Sequence, residues 1–454
     1  MQAISPLDGR YREKTKVLAE YFSEQALMRY RVMMECAYLV ALSKEPKINL
    51  RKFTKKEEQM LFDLYEKFND NSYTAIKNFE ATTNHDVKSV EYFIKEKLGK
   101  TSLKDVVEWA HFALTSEDTN NIAYALMLSS SLEEVMIPEI KKIISELNIL
   151  VKKYKDLPML ARTHGQPASP TTFGKEMKVF AVRLEDELAN LKSIKIKSKL
   201  NGATGNYNAH SVAYPKVNWV DFSKRFIETL NKDRIQKLEI NLVTTQIECH
   251  DSYVRIFDSM KRTNNILLDF DQDMWRYISD DWVIQKPKQG EVGSSTMPHK
   301  INPIDFENSE GNLGIANALF EFFARKLPVS RLQRDLSDST VERTFGMAFG
   351  HAFLAYVSIL KGLGKISVNE IKIKEYLTSR PEVITEAIQT ILRREGAEMP
   401  YEKLKELSRG RKLTLEDIYK FVDSLEVSEK VKKELKNITP ENYIGLASKL
   451  TALK

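Results

Sequence analysis

The sequence predicts an all-α protein of three domains around a central bundle of long helices, and three observations carry that prediction. Gly 17 and Pro 14 in 454 residues fall well short of the roughly 12% that average usage would supply, which disfavours turn-rich β architectures and collagen-like repeats. No proline lies between Pro215 and Pro287, and no glycine between Gly205 and Gly290, so that stretch lacks the residues that interrupt helices. Across it Ile247, Val254, Phe257, Met260, Leu267, Met274 and Ile278 recur at helical spacing, which reads as long helix with one buried face.

Taken in chain order, the first hundred residues carry shorter helices, with Tyr21, Leu27, Met34, Tyr38 and Ala41 marking one apolar face. Residues 104 to 155 read as helical, with Pro138 as the expected kink. Phe173, Met177, Phe180, Leu184, Leu188 and Leu191 step by 4, 3, 4, 4 and 3, close to a coiled-coil seam and suited to a bundle helix. The breaker-free stretch follows. Beyond Gly364 come short Lys/Glu-rich segments punctuated by Pro381, Gly396, Pro400, Gly410 and Pro440. The expected division is residues 1–110, 111–364 and 365–454.

Composition narrows the function classes. Hydrophobic residues make up 42% and charged residues 29%, a globular balance that disfavours disorder. Lys+Arg 69 against Asp+Glu 63 leaves +6, and Lys and Glu intermingle, which argues against a nucleic-acid binder. No run approaches the roughly 18 continuous apolar residues of a membrane span, and the N-terminus has no apolar h-region, so no membrane and a cytoplasmic location are expected. Cys36 and Cys249 cannot form a disulfide framework, which fits a reducing compartment. No HExxH or paired CxxC spacing and no dinucleotide fingerprint is present, so neither metal nor organic cofactor is expected.

Three loops carry polar residues out of proportion to mere connection: Thr82 to Asp86, Ala161 to Ala168, and Gly290 to Pro303. In the third, two glycines and two serines precede Met297-Pro298, and His299, Lys300 and Asn302 add donors just before a proline able to open a helix. Such a segment suits an anion, although an ordinary Gly/Ser loop with a surface lysine has the same composition. It is not a nucleotide P-loop: the only Gly-Lys-Thr is Gly99-Lys100-Thr101, whose upstream glycine position holds Ile94.

His164 sits on a loop and can serve as acid or base near neutrality. His85 beside Asp86 could be a carboxylate-oriented imidazole, while His250-Asp251, read as lying within the long helix, is expected to be structural. Arg331, Arg334 and Arg343, spaced among Asp335, Asp338 and Ser339, could grip phosphate or carboxylate, or line a salt-bridged surface helix. A serine hydrolase is disfavoured, since no GxSxG elbow accompanies Ser294 and His164.

Gly293-Ser294-Ser295-Thr296-Met297-Pro298-His299-Lys300-Ile301-Asn302-Pro303 resembles the signature loop of the fumarase/aspartase superfamily, whose members eliminate fumarate from succinyl-type substrates. His299 before Lys300 is similar to the adenylosuccinate-cleaving branch rather than the argininosuccinate lyases, the nearest alternative. Ser5 to Tyr11, Thr115 to Asp118, Thr245 to Glu248, Leu327 to Arg331 and Pro400 to Leu407 resemble the bacterial type of that branch, so the likeness spans nearly the whole chain.

The resemblance implies an all-α homotetramer with active sites shared between subunits. It implies elimination of fumarate from adenylosuccinate to give AMP, and from succinylaminoimidazole carboxamide ribotide (SAICAR) to give AICAR. By the same resemblance Ser294 is the base that takes the Cβ proton, with Ser295 as alternative, and His164 the acid that protonates the leaving nitrogen. His85, the competitor of His164, is placed near the phosphate. Arg10, Tyr11, Asn84, Asp86, Thr115, Ser116, Gln246, Lys300, Asn302, Asn308, Arg334, Ser339 and Arg343 carry over as further substrate contacts. A catalytically silent relative is disfavoured because Ser294, His164 and Lys300 are all present.

Overall fold

The computed structural model describes residues 2–286, 296–297, 299–408 and 413–453. The described residues are mainly helical, with eight strands of two or three residues each among them. The chain forms two compact units. One comprises residues 1–140, 187–265 and 311–357, the other residues 141–186, 266–310 and 358–454. All five boundaries fall inside helices: Ile137–Lys153, Phe173–Ser193, Asp251–Ser279, Ile304–Lys326 and Phe345–Leu363.

In the first unit the core is aromatic. Phe257, Phe320, Phe323, Phe345 and Phe349 are all fully buried, with ring centroids 5.2 Å apart for Phe257–Phe345 and for Phe320–Phe349. Such pairs add about 0.5–1.5 kcal/mol each beyond their buried area. Gly346 lets this core close on the N-terminal segment, because a Cβ there would lie 2.8 Å from the Cβ of Phe22. Ser337–Leu363 is apolar and long enough to cross a bilayer, but 72% of its most apolar window is buried inside the protein. Its apolarity serves the core.

Helix Ser116–Ser131 passes through a π-helical turn, Leu132–Met136, into Ile137–Lys153. Pro138 explains that turn. A proline offers no N–H and its ring crowds the carbonyl four residues back, and a π turn widens the backbone there.

The breaker-free stretch is not one helix. It holds helix Trp219–Leu230, strand Leu238–Ile240 and helix Asp251–Ser279, so Ile247 precedes the long helix. Asp233 and His250 supply the breaks by taking left-handed backbone, φ 62° and 61°. Asp and His tolerate that conformation better than most residues, and the absence of glycine does not forbid it. His250 therefore lies just outside the helix, contrary to the expectation.

In the second unit Phe173, Met177, Phe180 and Leu184 are buried along one stripe of Phe173–Ser193, and Phe180 packs edge-on to Phe270 at 5.4 Å. Strand Val283–Gln285 pairs antiparallel with Ile366–Val368, Ile284 opposite Ser367. A hairpin pairs Arg162 with Pro167 and Thr163 with Gln166. The C-terminal part consists of short helices such as Glu370–Thr378 and Thr385–Arg394.

Candidate active site

The first unit gathers many of the expected substrate contacts around a buried charge network. Asn84 ends helix Asp70–Thr83 in left-handed backbone, φ 50°, and His85 caps the next helix, its Nδ1 accepting from the Lys88 N–H at 3.2 Å. The ring of His85 is half exposed and 4.0 Å from an Asp86 carboxylate oxygen. Asp86 accepts from Arg31 at 2.8 Å and from Arg343 at 2.6 Å. Burial works against its charge, yet those two guanidinium groups hold its carboxyl well below the usual carboxylate range. Asp86 and Arg343 thus come together as a pair.

Thr115 opens helix Ser116–Ser131, and its N–H donates to the Asp118 carboxylate at 2.9 Å. Asp118, fully buried, also accepts from Lys199 Nζ at 2.6 Å and from the N–H groups of Asn201 and Gly202. Gln246 donates to the carbonyl of Ala203 at 3.0 Å. One loop, residues 199–203, therefore positions both Thr115 and Gln246. Its glycine, Gly202, sits at φ 83°, where a side chain would be strained.

Arg334 lies 3.1 Å from Glu117 and 3.2 Å from Asp338, and the N–H of Ser339 donates to Asp338 at 2.6 Å. Glu117 is fully buried. Desolvation first, and the Glu342 charge second, push its carboxyl up to about 8 against the pull of Arg334. His250, also buried, lies 3.2 Å from Glu342. Burial disfavours its charge, but the Glu342 hydrogen bond and the surrounding carboxylates push it up to about 9. Arg10 lies over the ring of Tyr11 at 5.7 Å.

The second unit carries the remaining groups. His164 and Gly165 are the two tip residues of the 162–167 hairpin, at φ 52° and 72°. Positive φ at both positions is the pattern of a type I′ turn, which matches the twist of the flanking strands. The turn leaves the His164 ring exposed. Lys300 is exposed, its N–H donating to the Met297 carbonyl at 3.1 Å. Asn302 is half-buried just ahead of helix Ile304–Lys326. Asn308 accepts from the Ser358 hydroxyl at 2.9 Å. Ser294 and Ser295 lie outside the described residues.

Sequence reasoning missed Arg31, Glu117 and Glu342, and did not foresee the partner of His250. One signal was available. Arg31 falls four residues after Leu27 on the apolar stripe of helix Glu24–Lys44, where a charge must find a buried partner. Among the described residues, no group of three or more His, Cys, Asp or Glu is placed to hold a metal ion.

The chain matches the family described as lyase over residues 9–316 and the adenylosuccinate lyase C-terminal family over residues 330–444. It is 50% identical to adenylosuccinate lyase of Dictyostelium discoideum over 98% of this chain and 97% of that one. It is 47% identical to the enzyme of that name from Escherichia coli K12, over 98% of this chain and 97% of that one. The fold is similar to that of a fumarate lyase from Mesorhizobium sp. BNC1, with a TM-score of 0.73 at 16% identity over 96% of each chain. It is also similar to 3-carboxy-cis,cis-muconate lactonizing enzyme from Pseudomonas putida, with a TM-score of 0.72 at 17% identity over 96% of this chain and 95% of that one.

Proposed function

The chain belongs to the adenylosuccinate lyase family of the fumarase/aspartase superfamily, and from that premise we infer how its residues divide the reaction. It is a C–N lyase that eliminates fumarate from adenylosuccinate to leave AMP, a step of purine biosynthesis. The carrying observation is identity of 47–50% to adenylosuccinate lyases along almost the whole chain. SAICAR, which presents the same succinyl group on a different nitrogen, is the proposed second substrate.

The chemistry sets the demands. The Cβ proton is weakly acidic because its removal adds charge beside a carboxylate, so the site needs a positioned base and donors aimed at the developing anion. Ser294 is the base in this reading, with Lys300 supplying positive charge beside it. His164 gives its proton to the departing nitrogen, and its exposed ring at a hairpin tip supports that role. Arg343, tied to Asp86 yet 40% exposed in its side chain, suits the substrate phosphate or a carboxylate. Arg10, Tyr11, Asn84, His85, Asp86, Thr115, Ser116, Gln246, Asn302, Asn308, Arg334 and Ser339 complete the proposed set.

The same reading makes the protein a cytoplasmic homotetramer, free of nucleic acid and membrane, divided at about residues 110 and 364. His164 and Ser294 of one site then come from different subunits. Two experiments test this. Absorbance and fumarate release are followed with adenylosuccinate, SAICAR, argininosuccinate and malate side by side, and turnover is expected only of the first two. Inactive His164→Ala and Ser294→Ala proteins are then mixed under conditions of subunit exchange. Activity should return in the hybrids, and hybrids that form yet stay inactive exclude shared sites.

A further inference from the structure

We propose that Arg162, packed against the neighbouring rings of Trp282 and Tyr376, is the positioning residue that fixes the hairpin bearing His164. This rests on the reading of His164 as the general acid. Below the tip the two arms stay paired, the Ala168 N–H donating to the Ala161 carbonyl at 2.9 Å and Met159 lying opposite Thr171. A two-stranded ribbon is nevertheless marginal by itself in water, so the orientation of a ring at its tip depends on what packs against the stem. Arg162 lies in that stem, two residues before His164.

Its guanidinium carbon lies 5.3 Å from the centroid of the Trp282 ring and 5.0 Å from that of Tyr376. The two rings are 5.4 Å apart. At the edge of the guanidinium, one terminal nitrogen lies 3.0 Å from Asp280, and Arg276 holds the same carboxylate at 3.0 Å. The buried Nε has no hydrogen-bond partner among the described residues, so beyond the Asp280 ion pair the group is held by its packing against the rings. A surface arginine needs only its ion pair, and a lysine would serve Asp280 equally well. Only a planar cation can also lie against two aromatic faces, which fixes its rotation as well as its distance.

The clamp is itself rigid. Helix Asp251–Ser279 ends with Asp281 in left-handed backbone, φ 58°, and the Trp282 N–H returns to the Tyr277 carbonyl at 2.9 Å. That closure turns the Trp282 ring onto Tyr277, stacked at 5.8 Å and 19°. The Trp282 carbonyl accepts from the Asn369 N–H at 2.8 Å, just ahead of helix Glu370–Thr378, which carries Tyr376. Three chain segments thus meet on one guanidinium two residues from His164. A proton donor must be held in near-attack geometry, and a displacement of about 1 Å can lower the rate on the order of 100-fold.

The test compares Arg162→Lys, Tyr376→Leu and Tyr376→Phe with Leu377→Ala, a buried neighbour on the same helix. Circular dichroism establishes that each variant is folded at the assay temperature. Arg162→Lys and Tyr376→Leu should lower kcat by about 10-fold or more with little change in KM. Tyr376→Phe keeps the ring and should restore kcat, and Leu377→Ala should lower the melting temperature while leaving kcat intact. Folded Arg162→Lys and Tyr376→Leu proteins with wild-type kcat would overturn the proposal, as would a kcat loss in Leu377→Ala equal to theirs. His164→Ala, measured in parallel, separates the two readings. If it turns over normally, His164 is not the acid; if it is inactive while the clamp variants are not, only the clamp is wrong.

Discussion

The charge network of the first unit and the His164 hairpin of the second are built on opposite principles. Around Arg334, most side chains are buried and all are paired: Glu117 and Asp338 on the arginine, Glu342 on His250, Arg31 and the partly exposed Arg343 on Asp86. At the hairpin, the reactive ring is exposed on a two-residue turn, and its support lies two residues away. Buried charges that are paired in advance need not reorganise when an anion arrives, but each depends on its partner. An exposed ring stabilises nothing and can be tuned by geometry alone. Damage to the first region should therefore appear as lost stability, and damage to the second as lost rate.

The largest effect tests the first half of that contrast. Arg334→Ala leaves Asp338 in the interior without its cation, and leaves Glu117 without the charge that opposes its protonation, which should cost about 3–5 kcal/mol. Urea unfolding at fixed protein concentration measures it. A loss below about 1 kcal/mol would mean that the network does not depend on Arg334. Adding Glu117→Gln, which replaces a carboxyl already protonated at neutral pH, should change that loss little.

Next comes His164→Ala. Loss of a general acid should lower kcat by about 10²-fold or more, while unfolding stability stays within about 0.5 kcal/mol of wild type because the ring is exposed. KM need not move in step, since the interaction lost belongs to the transition state. A variant that instead shows raised KM at normal kcat would assign His164 to binding.

Proton linkage gives a smaller effect per pH unit, and its sign is informative. Glu117 has its carboxyl raised to about 8 and His250 its imidazole raised to about 9. Each therefore binds a proton in the folded state that the unfolded chain has already released. Glu117 does so from about pH 4.5 to about 8, and His250 from about pH 6.5 to about 9. Their contribution is complete below those windows and is lost as pH rises, by at most about 1.4 kcal/mol per pH unit for each group. The melting temperature should fall between pH 6 and 9, and Glu117→Gln should flatten the lower part of the decline. Asp86 acts oppositely, its stabilisation present at neutral pH and lost on strong acidification. A melting temperature that rises from pH 6 to 9 would contradict the assignments of Glu117 and His250.

These contrasts also explain what the sequence could disclose. Period and punctuation predict the helix Phe173–Ser193 with its buried stripe, because one helix face reports its own burial. The signature from Gly293 to Pro303, together with the segments around it, points to the family, and a loop position for His164 follows from its Gly165-Gln166-Pro167 neighbours. Pairings across the chain were not legible. Asp86 with Arg343, separated by 257 positions, and His250 with Glu342 are set by tertiary packing, which leaves no local period. The left-handed backbone at Asp233 and His250 was hidden for a related reason: a turn that glycine would announce is made by residues that merely tolerate it.

The smallest expected effect is the sharpest test of the hairpin. Gly165 sits at φ 72°, and a Cβ added there would meet nothing within 4 Å. Gly165→Ala therefore imposes conformational strain without a steric clash, about 1–2 kcal/mol for a side chain in left-handed backbone. In a long helix that strain would be absorbed as lost stability. In a turn of two residues it can be relieved by opening the turn, which moves the His164 ring. Because about 1.4 kcal/mol corresponds to tenfold in an equilibrium, kcat should fall by up to about 10-fold while KM and the unfolding midpoint barely change. The same strain placed elsewhere supplies the control. Gly396, at φ 77° with open space around its Cβ position, closes helix Thr385–Arg394 within the same unit, and Gly396→Ala should leave kcat unaltered. Equal kcat in the two alanine variants would show that the hairpin holds His164 no more delicately than an ordinary helix end holds its own side chains, and the contrast between buried wiring and a poised exposed ring would fail at the point where it is most specific.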